Sequence, residues 1–140
     1  MISIKIEAKG VKDALNDLDK IKTGLRRALA RGLEKAMKRV ENKAEELVPV
    51  MTGRTRRSIT SYREGLRAIV GSDWAVAKFL EEGTRPHKII AKDKPLAKFG
   101  RVVMHPGTRP IRFLRRAVES QFNETIKIIA NEIADYLERV

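Results

Sequence analysis

The sequence predicts an α+β domain in which two long helices pack on a small antiparallel sheet, and three patterns carry that expectation. Apolar residues recur at three- and four-residue steps over 25–47 and again over 112–138, the spacing of two helices with one buried side each. Ile2, Ile4 and Ile6 alternate with Ser3, Lys5 and Glu7, the period of a strand with one covered face. Short apolar runs punctuated by glycine and proline fill the middle of the chain. A length of 140 residues fits one domain over 1–140, which buries about 70% of the surface its unfolded chain exposes.

After the first strand, helical spacing begins at Val11, with Leu15 and Leu18 following, and Thr23-Gly24 suggests a bend before the longer helix. Leu25, Leu29, Gly32, Ala36, Val40, Ala44 and Leu47 then mark one face. Pro49 ends this helix, because its ring disfavours helical geometry at Val48. Residues 58–63 and 66–71 read as a hairpin around Glu64-Gly65, where glycine accepts the positive φ of a tight turn. Ala75 to Glu82 reads as a short helix stopped by Gly83. In the last helix Phe113, Leu114, Ala117, Val118, Phe122, Ile126, Ile129, Ile133 and Leu137 line one side, which is expected to face the core.

Between the short helix and the last one, the same four residues occur twice: Gly83-Thr84-Arg85-Pro86 and Gly107-Thr108-Arg109-Pro110. This repeat suggests a stem. Inside it, Lys88-Ile89-Ile90 and Val102-Val103-Met104 are placed to pair, with a basic tip from Lys92-Asp93-Lys94-Pro95 to Lys98. Residues 87–106 are therefore expected to form a protruding β-hairpin arm, the alternative being a long surface loop.

Charge is the strongest compositional signal. Thirty Lys and Arg stand against eighteen Asp and Glu, a net +12. Residues 1–50 hold 12 basic and 8 acidic groups, 51–118 hold 16 and 5, and 119–140 hold 2 and 5, so the local sums are +4, +11 and −3. The basic middle should attract an acidic protein surface or nucleic-acid phosphate, more weakly as salt rises. One Trp, two Tyr and four Phe leave few stacking platforms for bases. No helix-turn-helix or zinc-finger pattern is present either, so a basic nucleic-acid-binding module is the alternative reading rather than the first.

Several chemistries are excluded or disfavoured. Zero cysteines remove disulfides, thiolate metal sites and cysteine nucleophiles. No stretch has the length of a membrane span, and the amino terminus does not resemble a signal peptide, so a soluble protein with no membrane partner is expected. His87 and His105 would face each other across the arm, but two histidines without a third ligand make no zinc site. Ser58 lacks the context of a nucleophile elbow, and no glycine-rich phosphate loop precedes a helix. The expectation is a protein that is not an enzyme and uses no cofactor or metal.

Three further strings carry a resemblance. Val48-Pro49-Val50-Met51-Thr52-Gly53, followed by Arg56, Ser58 and Ile59, resembles the Pro-Val-x-Thr-Gly-x-Leu-Arg-x-Ser-Ile signature of the tail-component family of long-tailed phages and proviruses, whose members include proteins like minor tail protein Z. Ala77 to Thr84 is similar to that family's Ala-x-Tyr-Val-Glu-x-Gly-Thr element, and Pro110 to Ala117 to the stretch opening its last helix. The sequence departs from the family at Thr55, where leucine is usual, at Val76, where tyrosine is common, and at Arg116, where proline is usual.

The resemblance implies a virion structural protein acting in tail completion or head-to-tail joining, assembled as a homo-oligomeric ring in the neck. Its partners would then be copies of itself and neighbouring head-completion, connector or tail-tube proteins, with non-specific DNA contact and assembly in the host cytoplasm. Pro49, Thr52, Gly53, Arg56, Ser58, Glu81, Gly83, Thr84, Phe113 and Leu114 are the family-motif positions. Arg54, Arg57, Lys88, Lys92, Lys94, Lys98 and Arg101 form the expected basic interaction surface, with bidentate arginines suited to carboxylates.

Overall fold

The computed structural model describes residues 12–92, 94 and 100–140, with side chains from residue 16 onward. The strand expected at Ile2–Ile6 and most of the arm tip, including Lys98, lie outside the described residues.

Helix α1 runs from Lys12 to Leu47. Ala28, Gly32, Ala36, Val40 and Ala44 are buried along it at every fourth position. Small side chains at that spacing form a shallow seam on which a second helix can approach closely. The second helix is α4, Phe113–Glu138, which packs antiparallel to α1: Tyr136 meets Gly24, Ile129 meets Gly32, and Gln121 bonds Arg39.

The bend expected at Thr23-Gly24 is absent, and α1 passes through it unbroken. A Cβ on Gly24 would lie 2.1 Å from the Tyr136 hydroxyl oxygen, and that hydroxyl donates to the Ile21 carbonyl at 3.1 Å. The glycine makes room for a ring on the facing helix. Near it Glu132 accepts from Arg31 Nε at 3.2 Å and from the Lys35 ammonium. The Lys35 ammonium, with Arg31 second, holds its carboxyl below the ordinary carboxylate range.

Past Leu47 the chain forms the short helix α2, Arg54–Ser58, and the hairpin β1, Thr60–Glu64, with β2, Arg67–Gly71. The register Glu64↔Arg67 leaves Gly65-Leu66 as the turn, with Gly65 at φ 57°. The hairpin lies along α1: Arg63 Nε donates to Glu34 at 2.9 Å, and the Ser61 hydroxyl donates to the buried Glu41 carboxylate. Helix α3, Ala75–Glu82, leads to the second hairpin, β3, His87–Ile90, and β4, Val102–His105. Among the described residues the strands form two separate two-stranded antiparallel hairpins, and the first packs on α1.

The core joins Val40, Ala44, Val48, Ile59, Ala77, Phe113 and Ala117, with Leu47, Val70, Trp74, Leu80, Ile111 and Leu114 against it. It sits where the end of α1 meets the start of α4. Further along α4 the expected buried stripe is only half covered. Val118 is 49%, Phe122 56%, Ile126 50% and Leu137 52% exposed. The physical reason is that α1 presents a narrow seam and a two-stranded hairpin cannot shield the outer flank of α4. No helix among the described residues is long and apolar enough to cross a membrane.

Candidate assembly surface

All three sequence landmarks feed one cluster. Val48 and Ile59 flank the first, Ala77 and Leu80 belong to the second, and Ile111, Phe113, Leu114 and Ala117 to the third. These positions are therefore occupied first by packing, with Phe113 fully buried.

The corner after α1 is shaped by backbone bonds. Val48 N–H donates to Ala44 O at 3.0 Å, and Pro49, lacking an N–H, stops the ladder. Thr52 Oγ1 accepts from Arg54 N–H at 3.3 Å, and Gly53 opens α2 at φ 77°. Arg56 Nε reaches back to the Glu45 carbonyl at 3.0 Å, satisfying one of the acceptors left open at the end of α1. Arg57 donates to Thr52 O at 3.4 Å, and the Arg54 guanidinium lies 3.8 Å over the Trp74 ring. The three arginines are exposed but engaged within their own chain. Ser58 Oγ donates to Thr55 O at 2.6 Å and lies 2.7 Å from Ser72 Oγ, tying α2 to the loop before α3.

Glu81 has a definite position: its two carboxylate oxygens accept from Leu114 N–H at 2.8 Å and Arg115 N–H at 3.0 Å. A side chain from α3 thus caps α4, whose own N-cap residue, Arg112, makes no side-chain cap and sits at φ 54°. Ile111 N–H donates to Leu80 O at 2.7 Å and completes the junction.

The two Gly-Thr-Arg-Pro frames face each other. Thr84 N–H donates to Thr108 O at 2.9 Å and Thr108 N–H to Thr84 O at 3.1 Å. Gly83 and Gly107 take φ 76° and 85°, and a Cβ on either would strike the opposite threonine carbonyl, at 2.7 and 2.4 Å. Above this stem β3 pairs with β4, His87 opposite His105 with ring centroids 4.9 Å apart. His87, His105, Ile89 and Phe79 line one side of the arm. On the other, Ile90 is 66%, Val102 56% and Met104 59% exposed. Lys88, Lys92, Lys94 and Arg101 are exposed around them. No group of three or more potential metal ligands occurs among the described residues.

Two surfaces escaped the sequence reading. Arg112, Arg115 and Arg116 line an open concavity of about 480 Å³ with Pro110, Ile111 and Glu119. A groove of about 470 Å³ lies between β2 and α4, floored by Leu33, Ala36, Met37 and Val40. Only the apolar excess on α4 could have signalled it: nine large or apolar positions are more than one narrow seam can cover.

A family model described as "Bacteriophage HK97-gp10, putative tail-component" matches residues 12–83, from the start of α1 to the glycine that ends α3. The chain belongs to this family. It is thereby placed among phage tail structural components, and the matched stretch holds the first landmark and the second as far as Gly83, with the corner, the first hairpin and Glu81. No curated protein and no solved structure matches the chain. The arm and α4 lie beyond the family match and rest on geometry alone.

Proposed function

We propose that this tail component is a ring subunit at the head–tail junction, acting in tail completion or head-to-tail joining, with residues 87–106 as its docking arm. The observation that carries the reading is the outward face of the arm. Ile90, Val102 and Met104 lie more than half exposed on a two-stranded element joined to the body through the Thr84–Thr108 bridge. A hairpin of this size gains little stability by itself, so an apolar outer face is better explained by a partner than by folding. Its surrounding cations suit an acidic partner surface.

Particle reconstruction is the direct test, with density for the chain expected in a ring between connector and tail tube. Density in the capsid shell, or none in the particle, would overturn the reading. Replacing residues 88–104 by a short Gly-Ser linker should leave subunit helicity and melting temperature nearly unchanged, while filled heads and separate tails accumulate. Normal infectious particles from that deletion would remove the docking role. The basic middle of the chain adds a second expectation, weak salt-dependent contact with the DNA that passes the junction. Tight, sequence-independent binding to DNA by the isolated subunit at physiological salt would favour a nucleic-acid module instead.

A further inference from the structure

We infer that Ile2, Ile4 and Ile6 seat in the apolar trough between the first half of α1 and the second half of α4 of their own chain, as an extended strand that closes a flank the first hairpin leaves open.

Two helical ladders define the trough. Leu33 and Ile129 line the same side of the α1–α4 pair. Leu29 and Leu25 precede Leu33 by four and eight residues, while Ile133 and Leu137 follow Ile129 by four and eight, so all of them share that side. Because the helices are antiparallel, with Ile129 against Gly32 and Tyr136 against Gly24, the ladders meet in rungs. Leu29 is level with Ile133, and Leu25 with Leu137; Leu18 and Val140 follow at the open end. Leu25 is 37%, Leu18 44%, Leu137 52% and Val140 65% exposed. The first hairpin stops short of these rungs, since its turn is Gly65-Leu66 and Arg63 beside it pairs with Glu34.

The spacing of the rungs suits an extended chain. Four residues of helix advance about 6 Å, and two residues of strand advance about 6.6–6.8 Å. Alternate residues of a strand share one face, so Ile2 meets the Leu29–Ile133 rung, Ile4 the Leu25–Leu137 rung and Ile6 the open end near Leu18, while Ser3, Lys5 and Glu7 face solvent. The reach is sufficient. Lys12 to Leu29 along α1 is about 26 Å, and ten extended residues from Lys12 back to Ile2 cover about 33–36 Å. The surplus of roughly 7–10 Å serves the reversal from strand to helix, and Gly10 stands there in the sequence.

Two arguments select this occupant over another chain. A segment tethered at the foot of the trough meets it at an effective concentration of about millimolar, which a separate partner must match by affinity alone. The inward face of the segment carries no charge, and neither do the rungs, whereas residues 87–106 of the arm hold five basic groups against one acidic.

The chain has no cysteine, so a placed pair can be followed without background. An Ile4→Cys/Leu137→Cys chain oxidised at micromolar concentration should give linked monomer about tenfold over linked dimer, with a ratio that rises on dilution. The control is Ile4→Cys/Met51→Cys, because Met51 is 98% exposed and lies past the other end of α1; it should give about tenfold less linked monomer. Linked dimer in excess would seat the segment on a second copy and overturn the inference, and so would equal linkage in the two chains. A second measurement needs no cysteine. Ile4→Glu should lower the melting temperature and raise the binding of an apolar dye, with helicity retained because the core around Phe113 lies at the other end of the helix pair. Ser3→Glu, on the opposite face of the strand, should change neither. Equal effects of the two substitutions, or none from Ile4→Glu, would show that the trough is not closed by this segment.

Discussion

Glu132 stands between Lys35 and Arg31 with its side chain largely covered, and those cations hold its carboxyl below the ordinary carboxylate range. In the unfolded chain the same group returns to the ordinary value. Its contribution is therefore complete above that value and lost as pH falls through the lowered folded one. Glu132→Gln should be less stable than the parent at neutral pH, with the gap closing in acid, as read from denaturant midpoints at both pH values. A gap that persists in acid would mean that shape rather than charge matters at this position. Glu81 tests a different kind of carboxylate, one that caps a neighbouring helix through two backbone N–H groups. Glu81→Ala should cost about 0.5–2 kcal/mol in thermal or chemical unfolding, and Glu81→Gln should recover part of it. The role of Glu81 was not legible in sequence, because the groups it satisfies lie 33 and 34 positions further along the chain. Gly83 was legible, since a helix stop at a glycine is set by neighbours in the chain.

Among the elements, α1 shows how a local signal misleads when its cause is distant. A glycine after a threonine inside a helical stretch looks like a bend, yet Gly24 is needed by the ring of Tyr136. Alanine favours helix by about 1 kcal/mol over glycine, so an isolated helix would gain from Gly24→Ala. In this protein the substitution should instead lower the melting temperature, because the new methyl overlaps the Tyr136 ring. Pairing it with Tyr136→Ala should restore much of the loss, and an unchanged melting temperature for Gly24→Ala alone would show that the ring turns away freely. The turn of the first hairpin and the paired frames were legible, because each follows from glycine and register within a few residues. The α4 stripe was misassigned for the opposite reason: spacing shows which residues share a side but not how wide a partner covers it. Phe113, at 0% exposure, is the covered end, and Phe113→Ala should cost about 3–5 kcal/mol. Phe122→Ala, at 56% exposure, should cost the subunit much less in the same unfolding measurement.

For the whole molecule, a net +12 on 140 residues means that repulsion opposes the folded state at low ionic strength. Melting temperature should rise as salt is added to physiological strength, while any contact of the arm with an acidic surface weakens over the same range. The two trends move in opposite directions, so one titration separates folding from assembly. A melting temperature that falls with salt would show that the surface pairs, such as Arg63 with Glu34, outweigh the repulsion.

The antiparallel pairing of α1 with α4 also sets a schedule for synthesis. Sixty-five residues lie between Leu47 and Phe113, and at about 5–20 residues per second a ribosome needs roughly 3–13 s to make them. Throughout that interval the finished first helix lacks α4, and only the hairpin and α3 are made to cover part of its seam. That seam is mostly alanine and glycine, which offer little for a nascent neighbour or a chaperone to hold. The composition that lets two helices touch in the finished subunit therefore also keeps the waiting chain from sticking to others on a crowded polysome.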